Sequence, residues 1–147
     1  MPRGCGGQGC TLCEEGRPDE TPGRIRFLRR PRTDAYLHFR GVQRGFTTVI
    51  WRGGHVVEPT DLIPEDAAEF WRDALDVGRA LETFFQPLKM NYQLLGNGAP
   101  HLHWLIAPRF EDDVATGAPL PATGYVDLPD ADVRHAADEL EKILTTT

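Results

Sequence analysis

With 147 residues, the chain is long enough for one domain with a real hydrophobic core and too short for a second. Charged residues make up 26% and hydrophobic ones 40%, an ordinary globular balance, and the net charge of −6 argues against a protein that grips nucleic-acid backbones. No apolar run approaches the roughly 18 residues of a membrane span, and residues 1–10 are glycine-rich without the apolar core of a signal peptide, so a cytoplasmic location is expected.

All three cysteines lie near the start, Cys5 and then Cys10-Thr-Leu-Cys13. In a reducing compartment a stable disulfide is not expected. The Cys-x-x-Cys pair is open to three readings: a redox motif, half of a zinc site, or two thiols without a role. The redox reading wants a strand before the pair and a helix after it, and here the pair sits in a glycine-rich segment, residues 1–23.

Short strands separated by turns follow. Residues 24–28 alternate apolar and basic, residues 35–39 form a second run, and residues 47–51 are rich in β-branched side chains. A fourth strand is possible at residues 55–57. Gly41, Gly45 and Gly53-Gly54 punctuate the connections, so the region reads as an antiparallel meander. It also concentrates cations: Arg24, Arg26, Arg29, Arg30, Arg32, Arg40, Arg44 and Arg52 have only Asp34 among them. Either they solvate a sheet face or they supply a local positive field for an anionic substrate.

A helix is expected over residues 64–85. Pro64 suits the first helical position, Glu65, Asp66 and Glu69 complement the positive end of the helix dipole, and Pro87 ends the run. Its stripe of Phe70-Trp71, Ala74-Leu75, Val77-Gly78, Leu81 and Phe84-Phe85 has helical spacing and reads as core packing. Residues 88–95 form the next strand, followed by a turn at Gly96-Asn97-Gly98. Residues 101–106 alternate with period two, putting His101, His103 and Leu105 on one face and Leu102, Trp104 and Ile106 on the other, apolar one. The segment 110–129 is an acidic, proline- and glycine-rich loop. Asp130 then caps a last helix over residues 130–144, with Val133, Ala136, Ala137, Leu140, Ile143 and Leu144 on its apolar side.

Gly96-Asn97-Gly98-Ala99-Pro100-His101-Leu102-His103-Trp104, followed by Pro108-Arg109, resembles the active-site strand of the histidine-triad nucleotide hydrolases and transferases. That strand reads His-φ-His-φ-His-φ-φ, with φ apolar. The resemblance implies an α+β fold: an antiparallel sheet of about five strands carrying one long helix and a C-terminal helix, usually in a homodimer. It implies nucleotidyl transfer through a covalent intermediate on His103, and a small-molecule nucleotide as substrate. Asn91, Asn97 and the Gly98 backbone fall where the family contacts ribose and phosphate. Zinc-containing members use a histidine ahead of the first long helix, here His55. Cys10, Cys13, His55 and His101 would then form a closed Cys2His2 set around a structural Zn²⁺. The pattern breaks at the third histidine, which is Leu105. The related galactose-1-phosphate uridylyltransferases also lack it, but they carry glutamine, which can still hydrogen-bond. The competing readings are a nucleotide-binding or zinc-scaffold protein whose chemistry Leu105 has weakened, and a metalloenzyme in which His101 and His103 chelate one ion together.

Overall fold

The computed structural model describes residues 9–146, and Cys5 lies outside them. Eight strands and three α-helices are seen among the described residues. In chain order they are α1 (Thr11–Glu14), β1 (Glu20–Thr21), β2 (Arg24–Arg30), β3 (Thr33–His38), β4 (Arg40–Gly41), β5 (Thr47–Trp51), α2 (Pro64–Phe85), β6 (Lys89–Gln93), β7 (His103–Arg109), β8 (Val126–Asp127) and α3 (Asp130–Thr145). The main sheet has six strands in the order β1-β2-β3-β5-β7-β6, every neighbouring pair antiparallel, and β4 with β8 makes a small second ribbon. The fold is α+β as expected, with one strand more than the sequence suggests.

Alternation along each strand sorts the sheet into two faces. Leu37, Val49, Trp51 and Ile106 enter the main core with Phe70, Ala74, Val77 and Leu81 of α2 and Val133, Ala136, Leu140 and Leu144 of α3. This is the larger apolar layer, and burying each such side chain is worth about 1.5–3 kcal/mol. α2 spans the residues its stripe indicates; it ends at Gln86 in a left-handed conformation (φ 51°) before Pro87. In α3, Pro129 occupies the N-cap and Asp130 the first turn, so Asp130 serves the helix dipole and not the cap.

The opposite face carries Tyr36 and Ile50, and the N-terminal segment lays Cys10 and Leu12 on them. One buried carboxylate seats that segment. Asp34 on β3 has no solvent exposure and lies in a bidentate pair with Arg17, at 3.0 and 2.7 Å, with Arg52 Nε at 2.8 Å and an Arg26 amine at 3.5 Å. Arg52 also donates to the Leu12 carbonyl at 2.7 Å. Burial alone would raise the Asp34 pKa, but the hydrogen bonds from Arg17 and Arg52 outweigh it and hold the carboxyl below its ordinary value.

Three expectations need correction. Residues 55–57 form no strand, because Gly53-Gly54 turns the chain out of the sheet. The histidine strand begins at His103, not His101: His101 bends back with its own N–H on the Ala99 carbonyl at 2.8 Å, outside the ladder. The arginines do not make a free positive field. Most are consumed internally, Arg30 by Asp73 and Asp76, Arg32 by Asp66 and Glu69, Arg24 by Glu15, and Arg26 and Arg52 by Asp34. Among the described residues no helix is long and apolar enough to cross a membrane.

Asp34→Ala should destabilise the protein by about 3–5 kcal/mol, because it leaves Arg17 and Arg52 partly buried and uncompensated. The carboxyl is depressed below its ordinary 3.8, so its stabilisation is complete above that pH and is lost as pH falls through the folded value. Urea midpoints measured from pH 7 down to pH 3 should therefore decline in the parent protein and stay flatter in Asp34→Ala.

Candidate functional site

Four side chains from three distant stretches converge at the edge of the face that the helices do not cover. Cys10 precedes the single turn α1, Cys13 lies within it, His55 follows the Gly53-Gly54 turn, and His101 sits in the bend before β7. Their ligand atoms all lie within 4.8 Å of one another. His101 Nδ1 is 3.4 Å from Cys10 Sγ and 3.3 Å from Cys13 Sγ, and His55 Nδ1 is 3.4 Å from Cys13 Sγ. Tetrahedral zinc with Zn–S near 2.3 Å and Zn–N near 2.0 Å spaces its ligands about 3.3–3.8 Å apart, a range that these three sulfur–nitrogen separations meet.

The surroundings favour metal-ready protonation states on the histidine side. His101 Nε2 lies 2.6 Å from the Trp51 carbonyl, which can only accept, so Nε2 carries the proton and the Nδ1 lone pair points at the sulfurs. Burial lowers the His101 pKa; the hydrogen bond to the Trp51 carbonyl pulls the other way, and the nearby His55, Arg52 and His103 add to the lowering, so the balance favours the neutral ring. His55 Nε2 is buried without a hydrogen-bond partner, leaving Nδ1 as the atom that faces Cys13. Burial, then the Cys10 thiol, push the Cys13 pKa up to about 11. Without a cation this thiol stays protonated at neutral pH. The cluster could hold a metal.

His103 stands apart from that group. Its Nδ1 donates to the His101 carbonyl at 2.6 Å, so its Nε2 lone pair is free. The ligand-atom cluster consists of Cys10, Cys13, His55 and His101 and does not include His103. Across β5 and β7, His103 pairs with Ile50, and Leu105 pairs with Thr48 on one side and Gln93 of β6 on the other. These side chains share the face opposite the helices. Val57, Glu58, Pro59, Leu94 and Gly96 border His103.

Of the other expected residues, Asn97 and Gly98 sit exposed in the turn ahead of His101, while Asn91 is held by Arg109, whose Nη1 donates to its Oδ1 at 2.7 Å. Arg109 in turn pairs with Asp113, whose pKa the guanidinium and backbone N–H groups hold well below the carboxylate range. Asn91 therefore belongs first to the cluster that closes the far end of β7. The site residues that sequence reasoning missed are Thr48, Gln93 and His38. The strand register sets Thr48 and Gln93 on either side of Leu105, and a hydrogen bond to Thr48 brings in His38.

Binding a soft divalent cation must expel the Cys13 proton, so affinity should rise with pH and weaken toward acid. A Co²⁺ titration followed by its thiolate absorption should saturate at one ion per chain and lose that signal in Cys13→Ser. Undiminished binding in Cys13→Ser would place the metal elsewhere.

A family model for the HIT domain matches residues 23–112. No curated protein matches the chain. Among solved structures, a histidine triad protein from Bradyrhizobium japonicum superposes with a TM-score of 0.78 at 21% identity, covering 91% of this chain and 95% of its own. A zinc-bound histidine triad family protein from Mycobacterium smegmatis gives 0.66 at 21%, covering 96% of each. A hypothetical histidine triad nucleotide-binding protein from Sulfolobus tokodaii gives 0.69 at 14%, covering 95% and 92%. With the sheet, the helices and the His-x-His strand in place, this chain belongs to the HIT domain family.

Proposed function

We propose that the protein is a nucleotide-binding phosphohydrolase or nucleotidyltransferase that works through a covalent nucleotidyl-His103 intermediate. The observation that carries this reading is the 2.6 Å bond from His103 Nδ1 to the His101 carbonyl. A neutral imidazole with its Nδ1 proton anchored presents Nε2 as a nucleophile. Nε2 attacks the α-phosphorus of a nucleoside phosphoester or dinucleoside polyphosphate, a P–N bond forms, and the P–O bond to the leaving group breaks. The ring keeps its Nδ1 proton, so it becomes cationic, and the His101 carbonyl stabilises that charge. Water or a second phosphate then attacks phosphorus and returns the ring to neutrality, splitting one hard displacement into two easier ones.

We assign Asn97 and the Gly98 backbone N–H, in an exposed turn, to contacts with ribose and phosphate, together with the side-chain amide N–H of Asn91. Gln93 reaches the same face from β6. We assign the cluster of Cys10, Cys13, His55 and His101 to a structural Zn²⁺, whose closed coordination shell ties the N-terminal segment to the sheet and does no chemistry. The zinc-bound Mycobacterium smegmatis structure supports that choice of ion. Two reduced thiols suit the cytoplasm, where we place the protein.

A homodimer accompanies this reading. β6 is the longer of the two edge strands of the main sheet, and the exposed Leu88, Tyr92 and Leu95 lie on or next to it, with the exposed Trp71 of α2 packed on Trp104 of the neighbouring β7. We infer that two copies pair β6 with β6 across a two-fold axis and continue the sheet. Light scattering at micromolar concentration should give twice the chain mass; a clean monomer overturns the dimer.

Leu105 supports a second reading, a binding protein whose chemistry has been lost, because leucine offers no hydrogen bond to a departing oxygen. Losing such a group costs about 10²–10⁴-fold in rate, which leaves a slow enzyme. Intact-mass spectrometry after incubation with a dinucleoside polyphosphate should detect a nucleotidyl adduct that His103→Ala abolishes. Leu105→His should speed hydrolysis of a nucleoside phosphoramidate, with melting temperature measured alongside, since a half-buried leucine is being replaced by an imidazole. If Leu105→His folds and binds nucleotide, and neither it nor the parent turns over, the binding-protein reading replaces the enzyme.

A further inference from the structure

The face around His103 contains a polar pair that the histidine strand does not announce. Thr48 on β5 lies directly across from Leu105, and directly opposed side chains in an antiparallel pair have Cβ atoms about 4.5–5.5 Å apart. The Thr48 hydroxyl is hydrogen-bonded to Nε2 of His38, which projects from β3 onto the same face, two residues beyond Tyr36, the β3 partner of Thr48. Phe46 holds the His38 ring edge-on at 4.9 Å between centroids. Arg24 stands opposite His38 on β2, with its guanidinium over Tyr36 and bound to Glu15. The main core does not use this pair: its apolar side chains come from the other face. Two polar residues thus stand in hydrogen-bond contact at the floor of the His103 face, beside a leucine that has no donor to offer.

We propose that the Thr48 hydroxyl, oriented by His38, donates the hydrogen bond to the phosphoryl or leaving-group oxygen that Leu105 cannot supply. Thr48 touches the substrate in this scheme, and His38 is the positioning residue behind it. The inference rests on the reading of His103 as the nucleotide-reacting group. Its chemistry needs no further reactant: His38 Nε2–H donates to Thr48 Oγ, which leaves the hydroxyl proton of Thr48 to point outward at oxygen. Burial, then the charges of Arg24 and His103, lower the His38 pKa to about 4, so at neutral pH the ring is uncharged. A neutral ring has one N–H, and placing it on Nε2 is what frees the Thr48 proton. The ligand class that fits is a phosphate monoester or diester carried by a nucleoside, lying along the Thr48–Leu105–Gln93 row with its phosphorus at His103.

The test compares adenosine 5′-monophosphate with adenosine by calorimetry at pH 7, on the full chain. Thr48→Val should weaken AMP binding roughly tenfold, the size of one hydrogen bond to a charged oxygen, and leave adenosine binding unchanged. Thr48→Ser should restore AMP binding. His38→Phe should weaken it in the same direction. In turnover of a nucleoside phosphoramidate, Thr48→Val should lower kcat more than it raises KM. If Thr48→Val does not fold, Thr48→Ala carries the same comparison. AMP binding unchanged in the folded variant, or an equal loss for AMP and adenosine, overturns the role of Thr48 and leaves the role of His103 standing. If the parent binds no AMP and gives no His103 adduct, both readings fall together.

Discussion

A carboxylate without access to water has to be met by cations, and Asp34 recruits them from two places that matter. Arg17 comes from the N-terminal segment and Arg52 from the end of β5. The same Arg52 reaches the Leu12 carbonyl, inside the Cys-x-x-Cys turn, and the chain that leaves Arg52 runs through Gly53-Gly54 straight to His55. One ion cluster therefore positions both the thiols and the first histidine of the Cys/His cluster that could hold a metal. Buried ion pairs contribute little net stability compared with apolar packing, but removing one partner is expensive. Asp34 works as a locating pin: it fixes where the N-terminal segment can sit.

From that pin, position passes through backbone carbonyls. The Trp51 carbonyl takes the Nε2 proton of His101, and the His101 carbonyl takes the Nδ1 proton of His103. Each bond sets a tautomer, and the two settings are opposite. His101 presents Nδ1 to the sulfurs, and His103 presents Nε2 to the open face. Two histidines separated by one leucine thus acquire different chemistry from their hydrogen bonds alone. The bend that takes His101 out of the β ladder makes this possible, since a residue paired within the ladder would have its carbonyl pointed at the neighbouring strand.

Much of this architecture was legible in the sequence, for physical reasons. α2 has a proline at its start, acidic residues in its first turn and a proline after its end, and its stripe is unbroken, so its span could be read directly. β5 is a compact β-branched run and was equally plain. The four metal-cluster residues came from the family resemblance, because nothing in local periodicity links Cys10 to His101 across 91 positions. The bend at His101 was hidden, since period-two alternation survives whether or not the backbone pairs. The fate of the arginines was hidden too. Asp73, Asp76, Asp66 and Glu69 lie on a helix far along the chain, and only packing α2 against the β2–β3 hairpin gives Arg30 and Arg32 two carboxylates each.

The position of Leu105 shows what a one-strand motif omits. A residue on a sheet face has cross-strand neighbours on both sides, so a catalytic surface is a set of rows crossing several strands, and the motif reads only one column of it. Here the row runs Tyr36, Thr48, Leu105, Gln93, across β3, β5, β7 and β6. Two members can donate a hydrogen bond next to the leucine that cannot. On a helix or in a loop a missing donor would have no such neighbours at fixed spacing. A sheet face can therefore lose a group at one position and keep its polarity at the next strand, and whether the chemistry survives depends on how far the substrate must shift to reach it. That distance is a single strand spacing, about 4.8 Å, comparable to the size of a phosphate group.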